Sequence, residues 1–179
     1  MDAETAQAIE IALAKESRLQ VGFKRLSPDA VMPTKAHASD SGFDLVASAD
    51  VIIAPGETAV VPTGIAVQLP ADYEATVRPR SGVTAKTKLR VQLGTIDNGY
   101  NGEIGVIVDN IAEVGREDCG VNYIDGSPEY YESASYLIRK GDRIAQLVIT
   151  RLPDVVGVEV EDVEITERGA HGFGSSGVK

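Results

Sequence analysis

The sequence predicts an all-β domain, a sandwich or barrel built of short strands. Runs rich in Val, Ile and Leu recur between Gly and Pro punctuation about eight to twelve residues apart, the rhythm of such folds. No amphipathic helical pattern interrupts residues 20–165, which argues against a doubly wound α/β fold. At 179 residues, with 43% hydrophobic and 25% charged side chains, the chain is long enough for one domain with a real core.

Residues 1–19 differ in character from the rest of the chain. Ala3, Ala6, Ala8, Ile9, Ala12, Leu13 and Ala14 are good helix formers and Asp2 can cap them, so a short N-terminal helical extension is expected. Val21 to Leu26 reads as the first strand and Ser27-Pro28 closes it. Leu45 to Ala54 is a longer apolar stretch, ended by the turn Ala54-Pro55-Gly56. Val60 and Val61 come next, Pro62-Thr63-Gly64 turns the chain, and Ile65 to Leu69 returns before Pro70. Glu74 to Arg78, Leu89 to Leu93, Glu103 to Val108, Ala134 to Ile138, Ile144 to Arg151 and Val156 to Ile165 complete the predicted strands of a domain spanning 20–165. One excursion breaks the rhythm at about 110–138. Glu113, Glu117, Asp118, Asp125, Glu129 and Glu132 stand against the lone cation Arg116, and the segment gathers Tyr123, Tyr130, Tyr131 and Tyr136. An insertion of this length is a solvated loop or a docking surface, since tyrosine is a favoured interface anchor.

The net charge of −10 and pI near 4.7 argue against nucleic acid or an anionic membrane as partners, and leave room for a small anionic substrate where cations cluster. The single Cys119 excludes an internal disulfide and suits a reducing cytoplasm. Two histidines far from that cysteine leave no zinc-ligand spacing. The N-terminus does not read as a secretory leader, and no apolar run reaches bilayer length.

Candidate chemistry concentrates in five polar, glycine-containing stretches. In Gly94 to Ile104 the triplet Asp97-Asn98-Gly99 predicts a tight hairpin of type I′, with positive φ at its centre. Asp97 then either only makes the turn or is a carboxylate held beside Tyr100 to activate water. Asp44 sits at the mouth of a strand in Ser39 to Leu45. Arg80, Ser81 and Gly82, among five cations between 78 and 90, suit a phosphate: forked guanidinium, hydroxyl and free amides. Lys140 to Leu147 contains Gln146. The last stretch, 166–179, is either a loose tail or a flap in which glycine amides and Arg168 cradle phosphate and Phe173 stacks on a base.

In chain order these stretches read Ser-Gly-Phe-Asp-Leu, Pro-Arg-Ser-Gly, Gly-Thr-Ile-Asp-x-x-Tyr, Gly-Asp-Arg-Ile-Ala-Gln and Arg-Gly-x-x-Gly-Phe-Gly-Ser-Ser-Gly. Together they resemble the ordered motifs of the homotrimeric dUTP diphosphatase (dUTPase) family across residues 21–177, apart from the insertion. The resemblance implies a jelly-roll-like (β-clip) subunit, a homotrimer with active sites shared between subunits, and Mg²⁺-dependent hydrolysis of dUTP to dUMP and pyrophosphate. Carried over by position, it implies Asp97 as general base and Tyr100 as the wall that excludes a 2′-hydroxyl. Thr95 and Ile96 would hold the nucleoside, and Arg80, Ser81 and Gly82 the phosphates. Gln146 would assist near the reacting phosphorus, and Asp44 would hold Mg²⁺ through water. Phe173 would cover the uracil while Arg168, Gly174, Ser175 and Ser176 clamp the terminal phosphate in a C-terminal flap over 166–179.

Two features depart from the pattern. Val91 stands where many members carry an Asn that touches the uracil edge. The path from Tyr100 to Gly141 is longer than a compact member needs, and this insertion resembles those of phage and bacterial members, which implies a docked protein partner there. The rival dCTP deaminase shares fold and turns but is expected to carry a glutamate at the hairpin. An idle nucleotide-binding module, with dUTP as a switch, is the rival of another class; Asp97 and Asp44 argue against idleness.

Overall fold

The run Glu74 to Arg78, expected as a strand, becomes the central strand of the structure. In the computed structural model, which describes residues 5, 19–113, 121–125, 128–129 and 134–170, this strand turns Ala75 and Val77 into the core. The elements before it are β1 (Gly22–Arg25), β2 (Gly42–Val46), β3 (Val51–Ile53), β4 (Thr58–Pro62) and β5 (Ile65–Gln68); the central strand itself is β6 (Tyr73–Pro79). A short helix α1 (Ser81–Lys86) comes next, then β7 (Leu89–Val91), β8 (Gly94–Ile96) and β9 (Gly105–Asn110). The insertion contributes β10 (Val121–Tyr123) and β11 (Pro128–Glu129), and the domain closes with β12 (Tyr136–Ile138) and β13 (Arg143–Arg151).

Among the described residues four small sheets form a jelly-roll-like shell around one core. The sheet that carries most of the site runs β2-β13-β6-β8, with β13 antiparallel to both β2 and β6. A second runs β4-β9-β7, a third joins β1 to β5, and the last orders β11-β10-β12-β3. Leu45, Ile53, Val61, Ile65, Leu89, Ile104, Val106, Val108, Ile138, Ile144 and Leu147 are fully buried between them. Each such side chain gains roughly 1.5–3 kcal/mol from leaving water, and that burial opposes the entropy of ordering so many short strands.

Several expectations are met and others are not. The all-β class and most predicted strands stand. The strand expected over Val156 to Ile165 is absent: the segment leaves β13 as an extended, exposed arm, with Val156 82% and Val158 75% exposed. Its alternating valines are a strand pattern, but no strand among the described residues lies beside it, and a strand needs a partner for its backbone groups. Residues 81–86 form a helix where a turn was expected; Gly82 at its start and a length of six residues hide it from any periodicity. Of the expected N-terminal helix, only Thr5 is described, in helical conformation.

The insertion is partly woven into the fold. β10 pairs in parallel with β12, extending the sheet outward from β3. Tyr136 is buried and its hydroxyl accepts the Lys88 backbone N–H at 3.0 Å, while the Tyr123 ring lies 3.3 Å from the Arg139 guanidinium carbon. Two of the four tyrosines are thus committed to the body; Tyr130 and Tyr131 lie outside the described residues. Asn110 ties the graft down: its buried amide donates to the carbonyls of Ile53 (2.9 Å) and Ala134 (2.8 Å).

Candidate active site

The site begins with a row of side chains across the main sheet. Asp44 on β2 lies opposite Gln146 on β13, which lies opposite Arg78 on β6. Directly opposed residues share a face with Cβ atoms about 5 Å apart, so the three project together. The register of β13 shifts between Arg143 and Ala145, a bulge that buries both Ile144 and Ala145 and re-aims Arg143. As a result the Asp44 carboxylate, with only 10% of the side chain exposed, is gripped from two sides. Arg80 Nε meets one oxygen at 3.1 Å and Arg143 Nη1 meets the other at 3.1 Å. Arg80 also donates to the Arg143 carbonyl at 3.1 Å. A nearly buried carboxylate needs this neutralisation.

Arg80 directly precedes α1. It is extended, and its carbonyl accepts the N–H groups of Val83 and Thr84 at 3.1 Å each. No side chain caps the helix start, so Ser81 and Gly82 present their backbone beside the guanidinium, with open space around Gly82. A cation, a hydroxyl and uncapped amides are the donor set an anion needs. For a divalent cation, the described residues hold no group of three His, Cys, Asp or Glu. Asp44 nevertheless suits Mg²⁺ as an outer partner: each carboxylate oxygen has a second lone pair beyond its arginine, enough to accept a metal-bound water, and Mg²⁺ keeps most of its water.

The second half of the site is the Asp97 turn. β8 is the edge strand of the main sheet, so one side of its backbone is paired to β6 and the other is open at Thr95 and Ile96. The Ile96 side chain is buried in the core, so only its main chain is available at that open edge. A cleft of about 230 Å³ lies here, lined by Val77, Gly94, Thr95, Ile96, Asp97 and Tyr100. Tyr100 N–H donates to the Asp97 carbonyl at 3.0 Å and closes the turn. Neither Asn98 nor Gly99 takes positive φ, so the expected type I′ geometry is not formed. The reason lies in pairing: β8 joins β6 and β9 joins β4 and β7, so the turn links two sheets rather than two strands of one hairpin. The Tyr100 hydroxyl donates to the Glu103 carbonyl at 2.9 Å by folding over Gly102, where any Cβ would lie 2.6 Å from that oxygen.

The loop's far end is riveted to β5. Ile104 N–H donates to the Ile65 carbonyl (2.8 Å), the Thr63 hydroxyl to the Ile104 carbonyl (2.6 Å), and Gly64 N–H to Glu103 Oε1 (2.7 Å). Gly64 can do so only as glycine, with φ of +66° and a missing Cβ that would sit 2.7 Å from Ser27 Oγ.

Two predicted residues are placed elsewhere. Val91 does not reach the cleft: it is buried in β7 opposite Val108, as an apolar side chain beside a core would be. Arg168 lies on the exposed arm, where Gly169 N–H turns back to the Thr166 carbonyl at 3.0 Å. Phe173, Gly174, Ser175 and Ser176 lie outside the described residues. Arg143 and Arg78 were not singled out from the sequence; one signal for Arg143 was its place two residues after Gly141 in the Gly-Asp-Arg stretch, and the bulge that aims it was not readable.

Asp97 and Arg80 do not meet within one chain. The rung Ala75–Ile96 puts Asp97 beside Glu74, at the opposite end of β6 from Arg80. At about 3.3 Å per residue, the path from Glu74 to Arg80 covers roughly 20 Å.

Comparison with known proteins shows the family. The sequence model of the dUTPase family matches residues 29–115 and 131–177. The chain is 43% identical over 159 residues to a deoxyuridine 5′-triphosphate nucleotidohydrolase of Nocardia farcinica, covering 88% of this chain and 85% of that protein. It is 42% identical to a protein of the same description from Thermobifida fusca, covering 89% and 79%. Among solved structures, a mutant dUTPase of Staphylococcus bacteriophage 80alpha with dUpNHpp superposes with a TM-score of 0.84 at 37% identity, covering 89% of this chain and 99% of that one. A mutant dUTPase from phage phi11 of S. aureus, described with a structural Mg(II) ion, gives 0.77 at 34% identity, covering 82% and 99%.

Proposed function

The chain belongs to the dUTPase family and hydrolyses dUTP to dUMP and pyrophosphate, and from that premise we propose that Asp97 is the base of the reaction. Hydrolysis to these products breaks the bridge between the α- and β-phosphorus, so the attacking water must be activated beside one of those two atoms. Asp97, exposed at the rim of the nucleoside-sized cleft, takes the proton of that water. The open edge of β8 at Thr95 and Ile96 reads the pyrimidine through backbone groups at fixed spacing. That also answers the loss of an Asn at Val91, because main-chain donors and acceptors do not depend on that side chain. Tyr100, pinned to Glu103, stands against the sugar and leaves no room for a 2′-hydroxyl.

The phosphates lie on the other half-site. Arg80, Ser81 and Gly82 bind them, Gln146 projects beside Asp44 toward the reacting group, and Arg78 and Arg143 add charge. Mg²⁺, held through water by Asp44, supplies neutralisation of the triphosphate when bound. Arg168, Phe173, Gly174, Ser175 and Ser176 close over the nucleotide from the C-terminal flap.

The single observation that carries this assembly is the length of β6. With Asp97 and Arg80 at its two ends, a substrate that touches both lies between copies of the chain, which the homotrimer of the family, with its shared sites, would supply. The exposed arm from Val155 to Ile165, patterned as a strand without a partner, suits seating on a neighbouring copy. The reducing cytoplasm, which a lone Cys119 suits, is the proposed location; among the described residues no helix is long and apolar enough to cross a membrane. The acidic insertion serves as a docking surface for a protein partner, an idea that fails if deleting residues 113–133 changes neither turnover nor any captured partner.

The deciding assay measures pyrophosphate release with Mg²⁺ from dUTP, dCTP, dTTP and UTP, for the wild type and Asp97→Asn. Release from dUTP alone, lost in the variant, is expected. Full turnover in Asp97→Asn would remove Asp97 as the base, and tight dUTP binding without release would favour a nucleotide-driven switch.

A further inference from the structure

The tip of the Asp97 turn stands almost unsupported. On one side lies the nucleoside cleft; on the other a larger cleft of about 560 Å³, lined by Phe23, Lys24, Gln68, Asn98 and Tyr100 among others. The turn is therefore a thin partition between two open spaces. A Cβ built on Gly99 would meet nothing within 4 Å, so no described residue packs against the tip at Gly99. Asn98 and Gly99 lack the positive φ that would make the turn rigid on its own. Among the described residues one side chain attaches the tip to the body: Asn98 Nδ2 donates to the carbonyls of Leu69 at 3.2 Å and Pro70 at 2.5 Å, where the chain leaves β5.

We propose that Asn98 is a positioning residue for the reaction: its amide, by bridging two carbonyls of the body, fixes the peptide next door and so the direction of the Asp97 carboxylate. The inference rests on Asp97 being the base. Both carbonyl partners accept, so the role needs a donor: an aspartate of the same size would set a carboxylate against two carbonyl oxygens. Asn98 does not line the nucleoside cleft, so its loss should slow the chemical step more than it weakens binding.

The test compares Asn98→Ala and Asn98→Asp with the wild type, in both the native and the Asp97→Asn background. Expected for both single variants is a kcat lower by about 10- to 100-fold, since misplacing a catalytic group by about 1 Å costs on that order. KM, the affinity for the non-hydrolysable analogue dUpNHpp and the melting temperature should stay close to wild type. In the Asp97→Asn background, measured by single turnover, the Asn98 substitutions should add no further loss, because a residue that acts through Asp97 has nothing left to position. The inference is overturned by a kcat within twofold of wild type. It is equally overturned by an Asn98→Asp variant that matches wild type, by losses that multiply in the double variants, or by a parallel fall in melting temperature and analogue affinity. If Asp97→Asn is itself fully active, the reading of Asp97 as base fails; if only the Asn98 variants are active, that reading stands and this one falls.

Discussion

Asp44, proposed to hold Mg²⁺ through water, is also a structural residue. Its carboxylate is held by Arg80 and Arg143, and removing it leaves two guanidinium groups facing each other without the charge between them. Breaking a fully buried pair costs about 3–5 kcal/mol, but Arg143 keeps 54% of its side chain exposed, so Asp44→Ala should cost about 1–3 kcal/mol in urea unfolding. Arg143→Ala should cost less, because Arg80 still neutralises the carboxylate; an equal or larger loss would mean that Arg143 matters through something other than Asp44. Asp109 is a milder case near the end of β9, the middle strand of its sheet. Hydrogen bonds from Thr58 (2.7 Å) and from Gln92 hold its carboxyl below the usual range. A depressed carboxyl favours the fold above its unfolded pKa, and that contribution is lost as pH falls through the folded value.

At the scale of elements, β13 and the arm beyond it are opposites in one sequence. Arg143 to Arg151 is flanked by β2 and β6 and becomes a nine-residue strand, whereas the valines beyond Val155 have equal propensity and no partner. Strand propensity measures fit to a pleated neighbour, so it is silent where none is supplied. The proposed C-terminal flap over 166–179 is where function should separate from folding. Truncation after Glu167 should remove most of the turnover while the melting temperature and the native mass stay unchanged, since no core residue lies past that point among the described residues. Undiminished activity in the truncated chain would make the C-terminus a tail without a role.

For the whole molecule, the prediction concerns whose residues share a site. If Asp97 of one copy serves the phosphates bound by Arg80 of another, Asp97→Asn and Arg80→Ala chains are each inactive alone, but mixed trimers regain activity. Co-expression of the two variants, with separate tags to isolate mixed assemblies, should restore roughly a tenth to a third of wild-type turnover, as an order-of-magnitude expectation for intact sites formed by random mixing. No activity in purified mixed trimers would mean that each chain completes its own site, against the separation along β6.

The residues by themselves determined the fold class, the strand rhythm from Val21 to Arg151, and the chemical kinds gathered at Asp44, Arg80, Asp97 and Gln146. These are local properties: alternation, turn chemistry and charge are written along the chain. Tertiary structure alone decided that Asp97 sits on a turn between two sheets, that Val91 points into the core, and that α1 begins at the phosphate-type residues. It also decided that a bulge swings Arg143 onto Asp44, and that Asn98 moors the turn to Leu69 and Pro70. Each of these depends on which strands lie side by side, and pairing between residues far apart in sequence is chosen by the packing of the whole core rather than by any segment's own preference.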